Sequence, residues 1–268
     1  MAPATSFARL IAGLLGRRRS VLLCTVVQSA MPVKVPAGAK VVCPDGEAPR
    51  AFGLDANMAR ALIGQLPLTD PPDRPAVRRI ELPGEEFAGQ VEVYCEYLRP
   101  PVHCVIVGAG HIARPLARMA AALGWATSVA DDRPDYAAPA FFPEGTAVHC
   151  VPFGQVWTQI AVDRLTAVVL VTRGHRHDAE CLAALQGEEP FYVGLIGSQR
   201  RVHAALSELR SAGADADFLE RVYAPVGLPL AGDTPGEIAL SVVAEIAAVK
   251  RGRGPWAREQ KSDYYRRR

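Results

Sequence analysis

The fold is decided by residues 103–113, HCVIVGAGHIA, in which a short apolar run leads directly into a glycine-rich turn. Gly108, Gly110 and Ala113 give the pattern G-x-G-x-x-A, set between a predicted strand and a predicted helix. Gly108 permits a tight turn, Gly110 lets the backbone approach a phosphate, and Ala113 allows the helix to pack close to the strand. The free amides and the positive end of the helix dipole would then face an anion. The pattern by itself also fits a strand-to-helix turn that binds no ligand.

The remainder of the second half repeats this alternation of short β-branched runs and helical patterns. Such alternation predicts a parallel sheet covered by helices on both faces, and right-handed crossovers make it an open, doubly wound, Rossmann-like sheet. A ligand crevice is then expected beyond the carboxyl ends of the strands. The predicted strands are 103–107, 126–130, 147–151, 167–171 and 191–196, and the predicted helices are 112–123, 178–186, 199–212 and 235–250.

The first part of the chain predicts a smaller, N-terminal α+β domain, and Pro100-Pro101 forms a stiff joint after it. We therefore place the domains at 1–99 and 100–251. Residues 252–268 are strongly basic and are predicted to be a disordered tail. In the N-terminal domain the predicted helices are 5–17 and 55–66, the predicted strands are 21–28, 40–43 and 91–98, and the proline-rich residues 67–76 are predicted to be irregular.

Composition excludes several classes of protein. Hydrophobic residues make up 49% and charged residues 22%, which excludes disorder of the whole chain. Aromatic residues are sparse, so no base-stacking surface for nucleic acid is expected. Every 18-residue apolar stretch carries a charge, so no membrane span is predicted. The six cysteines contain no C-x-x-C pair, which is typical of reduced, buried thiols in a cytoplasmic protein.

Acidic residues follow the second predicted strand of the sheet. Asp131 and Asp132 come about 20 residues after the glycine turn, where a ribose-binding carboxylate is expected. Asp131 favours a ribose with a free 2′-hydroxyl, whereas the neighbouring Arg133 would suit a 2′-phosphate. The sequence leaves both alternatives open.

Polar residues also follow the fourth predicted strand, which should lie next to the glycine turn. Packing explains these side chains poorly, so we expect them to contact an anion or another ligand. Two alternatives remain: a metal site formed by His111, His175, His177 and Asp178, and a helix cap formed by Asp178. The segment is Thr172-Arg173-Gly174-His175-Arg176-His177-Asp178.

The fifth predicted strand ends in a second glycine turn. Gly197 and Ser198 offer a backbone amide and a hydroxyl, and Arg200 and Arg201 add positive charge, which predicts a second anion site. The alternative is a capped helix with solvated arginines. Further along, Thr234, Pro235 and Glu237 predict a helix start with a capping box. The sequence contains no G-x-S-x-G, H-E-x-x-H or Walker pattern, so no catalytic residue and no metal site are predicted.

Five motifs in order resemble the XdhC/CoxI family, the accessory proteins of xanthine dehydrogenase-type molybdenum hydroxylases. They are GAGHIARPLARMAAALGW, VADDRPDYA, VVLVTRGHRHDAECL, YVGLIGSQRR and APVGLPLAGDTPGEIALSVVAEI, and they lie within residues 103–251. The N-terminal domain resembles the family less clearly, because residues 86–90 (EFAGQ) stand where members usually carry a Cys-Gly-Gly stretch.

The resemblance implies an accessory chaperone and not a metabolic enzyme. Such a chaperone binds the molybdenum cofactor (molybdopterin), assists its sulfuration by a cysteine desulfurase, and inserts it into an apo molybdenum hydroxylase. Family members often form homodimers. Two other functions fit the residues: an NAD(P)-dependent oxidoreductase and a nucleotide-binding scaffold. The residues expected to bind the cofactor are Gly108, Gly110, His111, Ile112, Asp131, Asp132, Arg133, Thr172, Arg173, Gly174, His175, Gly197, Ser198 and Arg200.

Overall fold

The computed structural model describes residues 4–30, 35–68, 74–82, 89–173 and 175–266. The chain divides into two compact units, an N-terminal unit of residues 1–100 and a C-terminal unit of residues 101–268. The division falls one residue from the boundary expected at the Pro100-Pro101 joint. None of the helices in the described ranges is both long enough and apolar enough to cross a membrane.

The N-terminal unit is an antiparallel five-stranded sheet with one helix on each face. Its elements are α1 (Ala4–Gly16), β1 (Val21–Ser29), β2 (Lys40–Pro44), β3 (Arg50–Phe52), α2 (Ala56–Ile63), β4 (Ala76–Leu82) and β5 (Gly89–Leu98), and the strand order is β3-β2-β1-β5-β4. Successive side chains of a strand point to opposite faces. Leu23 packs with Leu14 of α1, whereas Cys24 packs in the cluster that holds Leu62 of α2. Because the first half of β1 is covered on both faces, its residues Val21–Cys24 are a continuous apolar run. This arrangement confirms the predicted α+β class.

Strand β4 is missing from the sequence prediction. It begins at Ala76, the last residue of the stretch that was predicted to be irregular, and its exposed residues 76–79 give it little apolar signal. Only Ile80 and Leu82 of this edge strand are buried. The strand forms because β5 supplies a complete row of backbone partners along its length.

The C-terminal unit confirms the predicted doubly wound parallel sheet. Val105 and Val107 of β6 face a cluster that includes Leu182 and Val202, while Cys104 and Ile106 face the opposite side of the sheet. The sheet order is β11-β10-β9-β6-β7-β8, and every pair of strands is parallel. Its strands are β6 (His103–Val107), β7 (Ala126–Asp131), β8 (Ala147–Cys150), β9 (Thr166–Leu170), β10 (Tyr192–Leu195) and β11 (Val222–Tyr223). Its helices are α3 (Ala113–Ala122), α4 (Val156–Gln159), α5 (His175–Leu185), α6 (Gln199–Ser211), α7 (Ala216–Arg221), α8 (Pro235–Lys250) and α9 (Gly254–Arg266).

The start of helix α8 has the predicted capping box. The Thr234 hydroxyl accepts a hydrogen bond from the backbone N–H of Glu237, and the Glu237 carboxylate accepts one from the backbone N–H of Thr234. The pKa of the Glu237 carboxyl is lowered by the hydrogen bonds that it accepts from the Thr234 backbone N–H, the Thr234 hydroxyl and the Asp233 backbone N–H. Pro235 occupies the first helical position, where its missing N–H costs nothing.

Helix α9 corrects the prediction of a disordered tail at residues 252–268. It runs from Gly254 to Arg266, and its Ala257 and Lys261 are buried. Lys261 forms an ion pair with Glu245 of α8, whose side chain is fully buried. The basic composition of residues 252–268 does not indicate that one face of this helix is buried, because the ion-pair partner of Lys261 lies on another helix. Arg267 and Arg268 lie outside the described residues.

Further contacts complete the surroundings of Glu245. The Tyr192 hydroxyl donates to Glu245 Oε2 at 2.5 Å, and the Gly227 backbone N–H donates to the same oxygen at 2.9 Å. Lys261 Nζ also donates to the carbonyl oxygen of Pro225 at 2.7 Å. Burial raises the pKa of Tyr192 and lowers that of Lys261, although the nearby carboxylate opposes the change at Lys261. The network fixes α9 to the β10–β11 side of the sheet.

Candidate functional site

The glycine turn after β6 lies against the segment that follows β9. Gly108 has φ +104°, and a Cβ atom placed on it would lie 2.5 Å from the carbonyl oxygen of Val171. No side chain fits in that space, and the conformation itself disfavours one. The close approach brings the ends of β6 and β9 together at the edge of the sheet where a ligand is expected.

Open space begins two residues later. A Cβ atom placed on Gly110 would meet no atom within 4 Å. Helix α3 then begins after Ile112, which is half-buried and makes no side-chain capping bond among the described residues. His111 is exposed beside it. The backbone N–H of Ala113 donates to the carbonyl oxygen of Gly110 at 3.1 Å, and Pro115 has no N–H. The amides that have no partner among the described residues, and that are left for an anion, are those of residues 110–112 and 114.

Asp131 at the end of β7 holds the glycine turn in place. Its fully buried carboxylate accepts from the backbone N–H of Ala109 at 2.7 Å and from that of Arg133 at 3.0 Å. The Arg133 guanidinium adds two bonds, from Nε at 2.9 Å and from Nη2 at 3.0 Å, and its plane lies 3.6 Å over the ring of Tyr136. Burial tends to raise the pKa of this carboxyl, but the hydrogen bonds outweigh burial and lower it. The four bonds fill the four acceptor positions of the carboxylate.

Asp132 carries the accessible carboxylate at this point. It forms a two-pronged ion pair with Arg173, in which Nη1 donates to Oδ1 and Nη2 to Oδ2, each at 2.8 Å. The Asp132 side chain is 26% exposed and that of Arg173 is 42% exposed. Asp132 follows β7 and Arg173 follows β9, and these strands flank β6. The pair therefore bridges the carboxyl end of β6, where the glycine turn begins.

Of the remaining predicted residues after β9, Thr172 contacts the first turn of α5. The buried Thr172 hydroxyl donates to Asp178 Oδ1 at 2.6 Å. The His177 ring packs 4.8 Å from the ring of Phe153. Gly174 lies outside the described residues, and for His175, the first residue of α5, only the backbone is described. Within the described part of the chain, no three histidine, cysteine or carboxylate side chains are grouped so that they could hold a metal ion.

The turn after β10 leads into the start of helix α6. Ser198 caps α6 by accepting a hydrogen bond from the backbone N–H of Arg201 at 3.4 Å. Gly197 precedes it, and Arg200 lines a cavity of about 620 Å³ between the start of α6 and helix α9. Lys261 and Tyr265 lie on the opposite wall. The structure thus brings together the residues after β6, β7 and β9, while Arg200 lies in this neighbouring cavity.

Sequence reasoning missed Arg114, the second residue of α3. Its guanidinium lies 3.8 Å over the ring of Phe141, and its buried Nε has no hydrogen-bond partner among the described residues. The only signal in the sequence was its position directly after the G-x-G-x-x-A pattern. The Arg114 guanidinium therefore places a positive charge at the same helix start as the amides that are left for an anion.

A parallel sheet, a glycine turn after its central strand and a carboxylate pair after the next strand define a Rossmann-type domain. A family model described as the XdhC Rossmann domain matches residues 104–246, more than half of the chain. The chain belongs to this family, as the motifs of the sequence indicated.

Three curated relatives match the chain over part of their own length. YqeB of Escherichia coli K12, named as an uncharacterized protein, is 33% identical over 168 residues, which are 62% of this chain and 31% of that protein. A protein of Bacillus subtilis 168, named as a probable xanthine dehydrogenase subunit, is 29% identical over 175 residues, 65% of this chain and 50% of that protein. The molybdenum cofactor insertion chaperone PaoD of Escherichia coli K12 is 30% identical over 153 residues, 57% of this chain and 41% of that protein. The chain thus spans half or less of the length of each relative.

A solved structure shares the fold. A crystal structure described as a xanthine dehydrogenase from Bacillus halodurans superposes with a TM-score of 0.68 and covers 94% of this chain and 68% of that one. The identity is 20%, so the match supports the architecture of the chain and no more.

Proposed function

We propose that this chain is an accessory chaperone that binds the molybdenum cofactor at the glycine turn of its C-terminal unit. It then assists sulfuration of the cofactor and its insertion into a xanthine dehydrogenase- or CO dehydrogenase-type hydroxylase. Family membership and the names of two relatives support this function. The observation that carries it is the open space in front of Gly110, at a helix start without a side-chain cap.

The chemistry of the site fits the phosphate end of such a cargo. Molybdopterin ends in a phosphate, sometimes extended by a nucleotide, and amides at a helix start bind phosphates well. Arg114 and Arg173 supply guanidinium groups at the same edge of the sheet. His111, His175 and Arg173 are the polar residues that we propose to lie near the dithiolene and the metal. In this function the chain binds, orients and shields the cargo, and no residue acts as a nucleophile.

Sulfur would reach the cofactor from a partner. Cys24, Cys43 and Cys95 of the N-terminal unit are buried, and their strands offer no exposed thiol. Burial raises the pKa of Cys43 to about 12, so its thiol stays protonated at neutral pH. We therefore propose a cysteine desulfurase as the sulfur donor. The proposed recipient of the cofactor is an apo molybdenum hydroxylase. The proposed location is the cytoplasm, and the proposed assembly is a homodimer.

Binding of isolated molybdenum cofactor to the purified chain tests the proposal, and activation of an apo-hydroxylase by the loaded chain extends the test. The informative variant is Gly110→Leu, because its side chain would occupy the open space at the glycine turn. Gly236→Leu is the matched control, since Gly236 is also near a helix start and a Cβ there meets no atom within 4 Å.

The expected result is that wild type and Gly236→Leu bind and deliver the cofactor, whereas Gly110→Leu does not. Equal binding by Gly110→Leu would place the cofactor elsewhere. Tight binding of NAD(H) or NADP(H) without any binding of the cofactor would reject the chaperone and favour the oxidoreductase.

A further inference from the structure

Two thiols of the N-terminal unit lie opposite each other on neighbouring strands. Cys24 of β1 and Cys95 of β5 are direct partners in the antiparallel register, and their Sγ atoms lie 3.5 Å apart. Both are buried, and neither takes part in a disulfide bond. The contact joins positions 71 residues apart in the chain. A bond between these sulfur atoms would therefore cross-link two distant parts of the unit.

The backbone at this point already has the spacing of a disulfide bond. Directly opposite residues of an antiparallel pair have Cα atoms about 4.5–5.5 Å apart, which lies inside the range of about 4.4–6.8 Å that disulfides require. Pairing is continuous on both sides of the two cysteines, from Leu22 to Val26 of β1. The sulfur atoms can therefore close the remaining distance by side-chain rotation, with the strands in place.

A third thiol in the same buried cluster, that of Cys43 in β2, cannot replace either partner. The residue opposite Cys24 in β2 is Val41, so Cys43 is the diagonal neighbour. Diagonal neighbours lie about 7–8 Å apart, and Cα atoms more than about 7 Å apart cannot be bridged without moving the backbone. Strands β2 and β5 lie on opposite sides of β1, so Cys43 is further still from Cys95.

A cavity gives small molecules access to the next pair of side chains along the two strands. It has a volume of about 260 Å³, and its wall includes Leu22, Tyr97 and the exposed Asp45. Leu22 and Tyr97 are direct partners, two residues from Cys24 and Cys95 on the same face of the sheet. A water molecule takes up about 30 Å³, and hydrogen peroxide is only slightly larger. Such a molecule therefore comes within one pair of side chains of the thiols.

Hydrogen bonding and charge make Cys95 the more reactive of the two thiols. The hydrogen bond from the Cys24 thiol lowers the pKa of Cys95, burial opposes this change, and the Arg78 guanidinium on β4 adds to it. The same contact and burial raise the pKa of Cys24. Because the thiolate is the nucleophilic form of cysteine, Cys95 should react first.

We propose that Cys24 and Cys95 form a reversible disulfide bond when hydrogen peroxide reaches the N-terminal unit. The Cys95 thiolate attacks one peroxide oxygen, the O–O bond breaks, hydroxide leaves, and Cys95 becomes a sulfenic acid. The Cys24 sulfur then attacks the Cys95 sulfur, and its proton leaves with the displaced hydroxyl group as water. In total two thiols are oxidised and one hydrogen peroxide is reduced to two waters. A dithiol reductant reverses the change by thiol–disulfide exchange.

Treatment of the full chain with hydrogen peroxide tests the proposal. The background is Cys150→Ser, which removes an exposed thiol that could otherwise join two chains. Alkylation followed by peptide mass spectrometry identifies the linked cysteines. Cys104 and Cys181 are the matched internal controls, because both are buried and burial raises the pKa of each.

The expected product is a disulfide between Cys24 and Cys95 within one chain, with both control thiols still reduced. The mass of the chain falls by two hydrogen atoms, and dithiothreitol restores it. Because the bond closes a loop of 71 residues, the melting transition of the N-terminal unit should rise by roughly 10 °C on oxidation. Cys24→Ala should not show this rise.

The order of the two steps has its own test. In Cys24→Ala the sulfenic acid has no thiol to react with, so dimedone should label Cys95. In Cys95→Ala, dimedone should leave Cys24 unlabelled. Labelling of Cys24 in that variant would show that the attacking thiol is wrongly assigned. The disulfide itself is measured with both thiols present, so that result does not depend on the folding of these variants.

Three results would overturn the proposed bond. The first is that both thiols remain reduced at a peroxide concentration that oxidises Cys150 of wild type. The second is a disulfide that includes Cys43, or equal oxidation of the control thiols, which would mean that peroxide acts on unfolded chain. The third is a fall in melting temperature on oxidation, which would show that the sheet must distort to form the bond. All the residues involved lie in the N-terminal unit, so binding of molybdenum cofactor at the glycine turn bears on the proposed function alone.

Discussion

Replacing Gly108 with alanine should destabilise the C-terminal unit, whereas the same replacement at Gly110 should not. A Cβ atom on Gly108 would lie 2.5 Å from the carbonyl oxygen of Val171, 2.8 Å from its carbonyl carbon and 3.0 Å from the backbone nitrogen of Thr172. These are backbone atoms next to β9, so no flexible side chain can move aside. A Cβ atom on Gly110 would meet nothing within 4 Å.

The size of the effect follows from two contributions. Forcing extra volume into a packed site costs about 1–3 kcal/mol. Holding a residue with a side chain at a positive φ, here +104° at Gly108, adds a further penalty, of about 1–2 kcal/mol by the usual cost of left-handed backbone. The sum of about 2–5 kcal/mol corresponds to a fall in melting temperature of roughly 5–20 °C for a unit of this size.

Thermal unfolding followed by far-UV circular dichroism measures the difference between Gly108→Ala, Gly110→Ala and wild type. We expect Gly110→Ala to melt within about 2 °C of wild type, since its φ is not positive and substitution of a glycine at a compatible site is neutral or slightly stabilising. The reasoning fails if Gly108→Ala melts with wild type, or if the two variants lose equal stability.

Three further predictions concern the buried charges and the thiols. Lys261→Met should lower the free energy of unfolding in urea by about 3–5 kcal/mol, because it leaves the buried Glu245 carboxylate without its cation. Adding Glu245→Gln should recover much of the loss, because the amide is neutral and its oxygen still accepts from Tyr192 and Gly227. Equal stability of wild type and the single variant would contradict this. The pKa of the Asp131 carboxyl is lowered in the folded state, so its contribution to stability is present above about pH 4 and is lost as the pH falls further. Asp131→Asn should therefore make the urea midpoint less dependent on pH in the acid range. Parallel pH profiles of the variant and wild type would show that the carboxylate has no such role. Iodoacetamide at pH 8 should label the exposed Cys150 and spare Cys104, because burial raises the pKa of the Cys104 thiol to about 12. Peptide mass spectrometry measures the labelling, and a labelled Cys104 beside an unlabelled Cys150 would contradict the prediction.

The sheet of the C-terminal unit was predictable because its signals are local. The apolar run of β6 and the glycine turn after it lie within eleven consecutive residues, 103–113, and the same alternation recurs at each later strand. Crossover handedness then places the carboxyl ends of these strands at one edge. The residues after β6, β7 and β9 could therefore be assigned to one region of the fold from the sequence alone.

Helix α9 was not predictable, because its stabilising contacts are distant in sequence. Lys261 pairs with Glu245 and with the carbonyl of Pro225, 36 residues away. The charged residues that dominate the composition of this segment lie on the exposed side of the helix, and such a composition is also typical of a disordered tail. Strand β4 was missed for a related reason, since its identity depends on pairing with β5 more than on its own residues.

The sequence predicted which types of residue line the crevice but not which of them form hydrogen bonds with one another. The sequence places two adjacent carboxylates after β7, and nothing local distinguishes them. The fold does so, because Ala109 and Arg133 fill the acceptor positions of Asp131 while Asp132 meets Arg173, 41 residues away. Which carboxylate remains accessible depends on the spacing of three neighbouring strands, and a linear pattern carries no such information.

The contact between α9 and α8 has a consequence for synthesis on the ribosome. Glu245 emerges from the exit tunnel before the lysine that neutralises it, and α9 is made after every strand of the sheet. The nascent unit can assemble β6 to β11 early, yet it must hold a carboxylate without its counter-ion until translation has passed Lys261. Final packing of this unit is therefore expected only after Lys261 has left the exit tunnel, with the docking of the last described helix.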